Sequence, residues 1–223
     1  MIFFDIDRTL FDYDHAVDSA MEDFYREFSG EIDLELDEFK IKWVDLYERY
    51  WPQYELGTLS LKEQRILRMQ ELFEGRNIST LQAEKYARFH NDAYVSHWRL
   101  FPDALPLLDH LNGQKLGVIS NGNVQRQQAK LQHSGILDRF EVVVISAAHG
   151  FAKPDSRIFH TACELAGSLP VNSIHIGDNL TVDIAGAAGA GLQPIWINRT
   201  GQPRLQENIR QISRLDELIG SLR

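Results

Sequence analysis

The chain holds a single cysteine, Cys163, among 223 residues, so no intrachain disulfide can form and a reducing compartment is expected. Cys163 lies in the helical-looking run IFHTACELAG and reads as a small core residue rather than a nucleophile. No stretch approaches the ~18 consecutive apolar residues that a membrane span needs. No basic segment followed by an apolar stretch opens the chain, so a signal peptide is not expected and a cytoplasmic protein is. Basic residues are outnumbered, with 23 Lys and Arg against 32 Asp and Glu, and the formal net charge is -9. Such a surface lacks the clustered cations that a nucleic-acid backbone requires. It does not exclude a small anionic substrate, because a pocket sets its own local field.

What is present is a regular alternation. Five short apolar runs at 2–6, 115–120, 141–146, 173–177 and 193–198 read as strands buried on both faces. Helix-length segments at about 123–134, 154–166 and 181–190 separate the later ones. This predicts an α/β fold: a Rossmann-like parallel sheet with helices on both faces.

Residues 14–100 break the alternation. Val17, Met21, Phe24 and Phe28 share one helical face, as do Phe39, Trp43, Leu46 and Tyr50, and then Ile66, Met69 and Phe73. Thr58-Leu59-Ser60 and Ser79-Thr80 mark helix starts, and Trp51-Pro52 predicts a bend or break. The expected organisation is a core of 1–13 and 101–223 interrupted by a helical insert at 14–100. The tail from about 199 reads as polar and then weakly helical, closing the sheet edge or packing on the core.

Ligands of parallel sheets bind beyond the carboxyl ends of the strands. Those ends carry Asp5-Ile6-Asp7-Arg8-Thr9, Ser120-Asn121-Gly122, Ala152-Lys153-Pro154 and Gly177-Asp178-Asn179, with Asp183 close behind. Each has an ordinary reading as a turn or helix cap. Together, at successive strand ends, they bring carboxylates, a hydroxyl and an ammonium to one edge. Clustered carboxylates repel and call for a cation, and an all-oxygen set favours Mg²⁺ over zinc. A carboxylate beside a metal, with a second two residues on, suits phosphoryl transfer: Asp5 to attack, Asp7 to move protons. Ser120 and the following backbone amides suit phosphoryl oxygens, and Lys153 suits charge neutralisation.

With these motifs in order, DIDRT, VISNG, AKPD and GDNLTVD, the chain resembles the haloacid dehalogenase-like hydrolase superfamily. It resembles in particular the phosphatases with a helical cap after the first motif (the C1 type) and their nucleotidase-like branch. The resemblance implies that Asp5 becomes an aspartyl phosphate and Asp7 is general acid and base. It implies Mg²⁺ held by Asp5, the Asp7 carbonyl and Asp178, with Asp183 in support. Thr9, Ser120, Asn121, Gly122 and Lys153 fall at the phosphate-binding positions, Thr9 by supporting the first loop. Arg8 departs from the commonest pattern, which has glycine there; it is either surface charge or a contact to an anionic substrate.

The activity expected is Mg²⁺-dependent hydrolysis of a small phosphomonoester, a nucleoside monophosphate or a sugar phosphate, by a monomer or homodimer. Two rivals share the fold. A phosphomutase or other phosphotransferase differs only in the acceptor. A metal-independent 2-haloacid dehalogenase typically lacks a second motif-one aspartate, which Asp7 supplies here. His175 reads as a core histidine, and the glycines of DIAGAAGAGL as helix–sheet packing positions rather than a phosphate cradle.

Overall fold

The computed structural model describes residues 1–203 and 209–222. Its described residues divide into two units, one of residues 1–13 with 98–223 and the other of residues 14–97. Residues 204–208 and 223, which the expected core included, lie outside the described residues.

The first unit is built on six parallel strands: β1 (Ile2–Phe4), β2 (Leu116–Ser120), β3 (Val142–Ile145), β4 (Ile174–Gly177), β5 (Gln193–Ile197) and β6 (Arg210–Ile212). Their spatial order is β3-β2-β1-β4-β5-β6. β1 is central, with Phe4 opposite Val118 on one side and Ile176 on the other. The order reverses at β1, so the chain ends of β1, β2 and β4 meet where ligands of such sheets bind. Burial explains the composition of these strands: β1 and β2 are buried throughout.

Four helices of this unit are α5 (Ala104–His110), α6 (Val124–His133), α7 (Ser156–Leu165) and α8 (Gly186–Gly189). α7 lays Ile158, Phe159, Ala162 and Cys163 into a core shared with Phe3, Ile119 and Val144. Cys163 is therefore a core residue, as its neighbours in the sequence indicated. A π-helical turn, Leu180–Ala185, leads into α8 where one continuous helix was expected. Asn179 caps it, its side chain accepting from the backbone of Thr181 and Val182.

The tail closes the sheet edge as expected, but with a strand where a weak helix was expected. It adds β6 beside β5, with Trp196 opposite Gln211, and then a short 3₁₀ turn at Leu215–Leu218. Three residues of ladder pairing leave too little periodicity to distinguish them from a helix.

The second unit comprises most of α1 (Tyr13–Phe28), then α2 (Leu36–Glu55), α3 (Leu61–Leu72) and α4 (Thr80–Ser96). Phe24 centres an aromatic core, with its ring 4.8 Å from Phe28 and 5.2 Å from Trp43. Ser60 and Ser79 each form a reciprocal capping box, with Glu63 and Gln82. The break expected at Trp51-Pro52 does not occur, since α2 runs through Pro52 to Glu55. Pro52 sits in the last turn, where little helix remains to be disrupted, and its carbonyl still accepts from Leu56 at 2.9 Å.

Gly117 in β2 shows how tightly the sheet is covered. A Cβ there would lie 2.7 Å from two ring carbons of Phe3. Gly117→Ala is expected to destabilise the protein by about 1–3 kcal/mol, read as a fall in the thermal unfolding midpoint.

Candidate active site

β1 ends at Phe4, and the chain then turns sharply. The Leu10 and Phe11 amides both donate to the Ile6 carbonyl, at 2.9 and 2.8 Å. Arg8 occupies the left-handed region with φ of 62°, which accounts for the glycine commonly found at this place. The turn leaves Asp5 buried and Asp7 partly exposed. The guanidinium of Arg8 lies 4.7 Å from the centre of the Tyr13 ring.

Lys153 reaches this edge from the loop before α7. Its Nζ is 2.6 Å from Asp5 Oδ1, 2.6 Å from Asp183 Oδ1 and 2.8 Å from the Ile119 carbonyl. The three acceptors use the three ammonium hydrogens. Its backbone is fixed as well: Asn121 Nδ2 donates to the Lys153 carbonyl at 3.0 Å, and the Lys153 amide donates to Asn121 Oδ1 at 2.8 Å. Asp183 also accepts from the Asn179 amide and pairs with His175 Nε2 at 3.0 Å. This close passage requires Gly177, where a Cβ would sit 2.4 Å from Asp183 Cγ.

Asp5, Asp178 and Asp183 bring carboxylate oxygens within 4.8 Å of one another. Burial first, and then Asp183 and Asp178, push Asp5 up to about 8, against the pull of Lys153. Burial and Asp183 push Asp178 to about 6. Asp183 goes the other way: despite its burial, Lys153 and His175 hold it below the ordinary carboxylate range. Burial works to discharge Lys153, but Asp183 and Asp5 outweigh it and raise its pKa. Three carboxylates thus face one ammonium, and the cluster holds Asp5 back from ionising. The donor set is all oxygen, as hard divalent cations require, and such a cation would relieve this repulsion. The residues present therefore fit Mg²⁺.

A model of the haloacid dehalogenase-like hydrolases matches residues 1–191. The chain belongs to that family. It is similar to the pyrimidine 5'-nucleotidase YjjG of Escherichia coli, 30% identical over 200 residues that span 88% of this chain and 85% of that protein. Among solved structures it is similar to the magnesium-bound HAD-hydrolase YfnB of Bacillus subtilis, with a TM-score of 0.73, 27% identity and coverage of 97% and 95%. A 2-haloacid dehalogenase of Pseudomonas syringae shares the fold, with a TM-score of 0.69, 24% identity and coverage of 97% and 95%.

In this hydrolase Asp5, Lys153, Asp178 and Asp183 come together. Ser120 is buried at the end of β2, its hydroxyl 2.8 Å from Gln127 Nε2. One expected phosphate-binding amide is otherwise engaged, and Asn121 is held through its side chain. The Gly122 amide already donates to Ser146 Oγ at 3.0 Å, and the Asn121 side chain is taken by the Lys153 backbone. Thr9 is wholly buried and its hydroxyl has no hydrogen-bond partner among the described residues, which suits support of the loop better than contact with a phosphate. His175 is a core histidine that also touches the site through Asp183.

Several contributors carried no separate signal. Trp196 Nε1 donates to the Asp178 carbonyl at 2.8 Å. Arg199 donates to the carbonyls of Arg8 and Thr9, at 3.2 and 2.8 Å, while paired with buried Asp103. Gln127 and Lys130 reach Asp7 from α6. The i, i+3 spacing of those two polar residues beside buried Leu131 was the available clue, and a polar helix face reads as solvated by default.

The raised carboxyls give a signed expectation. In the metal-free protein a group raised to about 8 favours the folded state at low pH, and that contribution is lost as pH rises through 8. At pH 6 a divalent cation must displace the Asp5 proton and part of that on Asp178. Added Mg²⁺ should therefore raise the unfolding midpoint more at pH 8 than at pH 6, with binding roughly 10- to 100-fold tighter at the higher pH. An equal rise at both values would show that these carboxyls do not hold the ion.

Proposed function

We propose that this hydrolase is a Mg²⁺-dependent phosphomonoesterase working through an aspartyl phosphate on Asp5. The observation that carries the reading is the buried Asp5 carboxylate, held at 2.6 Å by Lys153 beside Asp178 and Asp183, with Asp7 two residues further on. Lys153 takes one carboxylate oxygen, Oδ1, and fixes the direction of the other. That oxygen attacks phosphorus as the bond to the ester oxygen breaks, and Asp7 supplies the proton that the departing oxygen takes. Water then attacks the phosphorus of the aspartyl phosphate, gives its proton to Asp7, and Asp5 is released as carboxylate. Ser120 offers its hydroxyl to the phosphoryl oxygens. Mg²⁺, held by Asp5, the Asp7 carbonyl and Asp178 with Asp183 in support, would neutralise charge on the phosphoryl group.

The substrate is a small phosphorylated metabolite. Similarity to a pyrimidine 5'-nucleotidase over 88% of the chain favours a nucleoside monophosphate ahead of a sugar phosphate. The helical insert of residues 14–97, here given the part of a cap, is the segment left to choose between them. Asp7 favours phosphorus over carbon as the site of attack, and the dehalogenase likeness extends to the fold alone.

The test is phosphate release from a panel of nucleoside monophosphates and sugar phosphates, with Mg²⁺ and with EDTA. Release should require the metal, and Asp5→Asn should lower kcat at least about 10,000-fold while the protein still melts cooperatively. Halide release from a 2-haloacid without metal, or undiminished turnover by Asp5→Asn, would overturn the reading.

A further inference from the structure

We propose that Gln127 and Lys130 are positioning residues that aim the Asp7 carboxylate, an inference that rests on the phosphomonoesterase reading above. Both lie on one face of α6, at i and i+3, and are almost wholly buried, at 3% and 2% exposure. A buried lysine is costly unless paired. A helix that only covered the sheet would place an apolar residue there, as Leu131 is next door. The Lys130 ammonium instead pairs with Asp7 Oδ1, and it lies 5.6 Å from the centre of the Tyr13 ring.

Gln127 takes the other oxygen. Its Nε2 donates to Asp7 Oδ2 at 3.0 Å, and the same nitrogen lies 2.8 Å from Ser120 Oγ and 3.2 Å from the Asn121 carbonyl. One amide thus ties the proposed acid–base to the proposed phosphate-binding hydroxyl. The Asp7 side chain is 27% exposed, and an unpinned carboxylate has more than one rotamer open to it. Two donors from one rigid helix, each on a different oxygen, remove that freedom. Asn123 starts the helix by accepting from the Arg126 amide at 3.1 Å, which fixes where both donors emerge.

Proton delivery to the leaving oxygen matters for an alkyl phosphate and hardly at all for 4-nitrophenyl phosphate, whose phenolate leaves unprotonated. A misaimed Asp7 should therefore slow the first class selectively. The experiment measures kcat/KM, which reports steps up to leaving-group release, for a nucleoside monophosphate or sugar phosphate and for 4-nitrophenyl phosphate. The proteins are wild type, Lys130→Met, Gln127→Leu, Asp7→Ala and the Asp7→Ala/Lys130→Met pair, each with a melting curve. Lys130→Met should lose about 10- to 100-fold on the alkyl ester and less than about threefold on the nitrophenyl ester. In the Asp7→Ala background the same change should cost nothing further.

Equal losses on both esters, or the same loss with and without Asp7, would assign Lys130 to folding alone and overturn the inference while leaving the phosphatase intact. Should Lys130→Met fail to fold, Gln127→Leu is judged by the same ratio. A wild-type protein that hydrolyses neither ester overturns the phosphatase reading and this inference with it.

Discussion

The site depends on one ammonium group. Lys153 joins the ends of β1 and β2 to the segment after β4 by donating to Asp5, the Ile119 carbonyl and Asp183. Those elements are adjacent in the sheet, so the lysine spans the point where strand order reverses. Without its charge, three carboxylates would crowd this edge with only His175 and Arg8 to oppose them. With it, Asp183 is held ionised while Asp5 stays hard to ionise. That asymmetry leaves Asp5, the proposed nucleophile, as the group most changed by an arriving cation.

Packing around that charge is equally strict. Gly177 exists so that Asp183 can pass beneath β4, and Gly186 lets the following helix close on Phe159 and Pro154, where a Cβ would lie 2.9 to 3.1 Å from its neighbours. Small residues here bring polar groups near enough to share one lysine. The same economy explains Asn121, whose amide exchanges two hydrogen bonds with the Lys153 backbone and so sets where the long side chain begins.

Much of this was legible in the sequence, and the reason is geometric. Strand ends are marked by the change from apolar to polar residues, and a parallel sheet must bring those ends together, so Asp5, Ser120, Lys153 and Asp178 could be located without coordinates. Contacts from helix faces and from the tail were not legible. Lys130 and Gln127 look like the solvated side of α6 until the turn after β1 is placed against them. β6 is three residues long, too short for periodicity to register. Pro52 was misleading because its effect depends on how many turns follow it, and only the last turn does.

Arg199 draws a boundary of a different kind. The family match ends at residue 191, and every proposed catalytic residue lies before it. Yet the carbonyls of Arg8 and Thr9 in the turn after β1 are held by Arg199, which is itself anchored on Asp103 and stacked 3.7 Å over Phe101. The Leu215 amide returns to the same Asp103 carboxylate at 2.9 Å. The chemistry and its scaffold thus have different extents along the chain. A fragment cut at the end of the family match would keep every proposed reactive group and lose the brace that holds the first of them still.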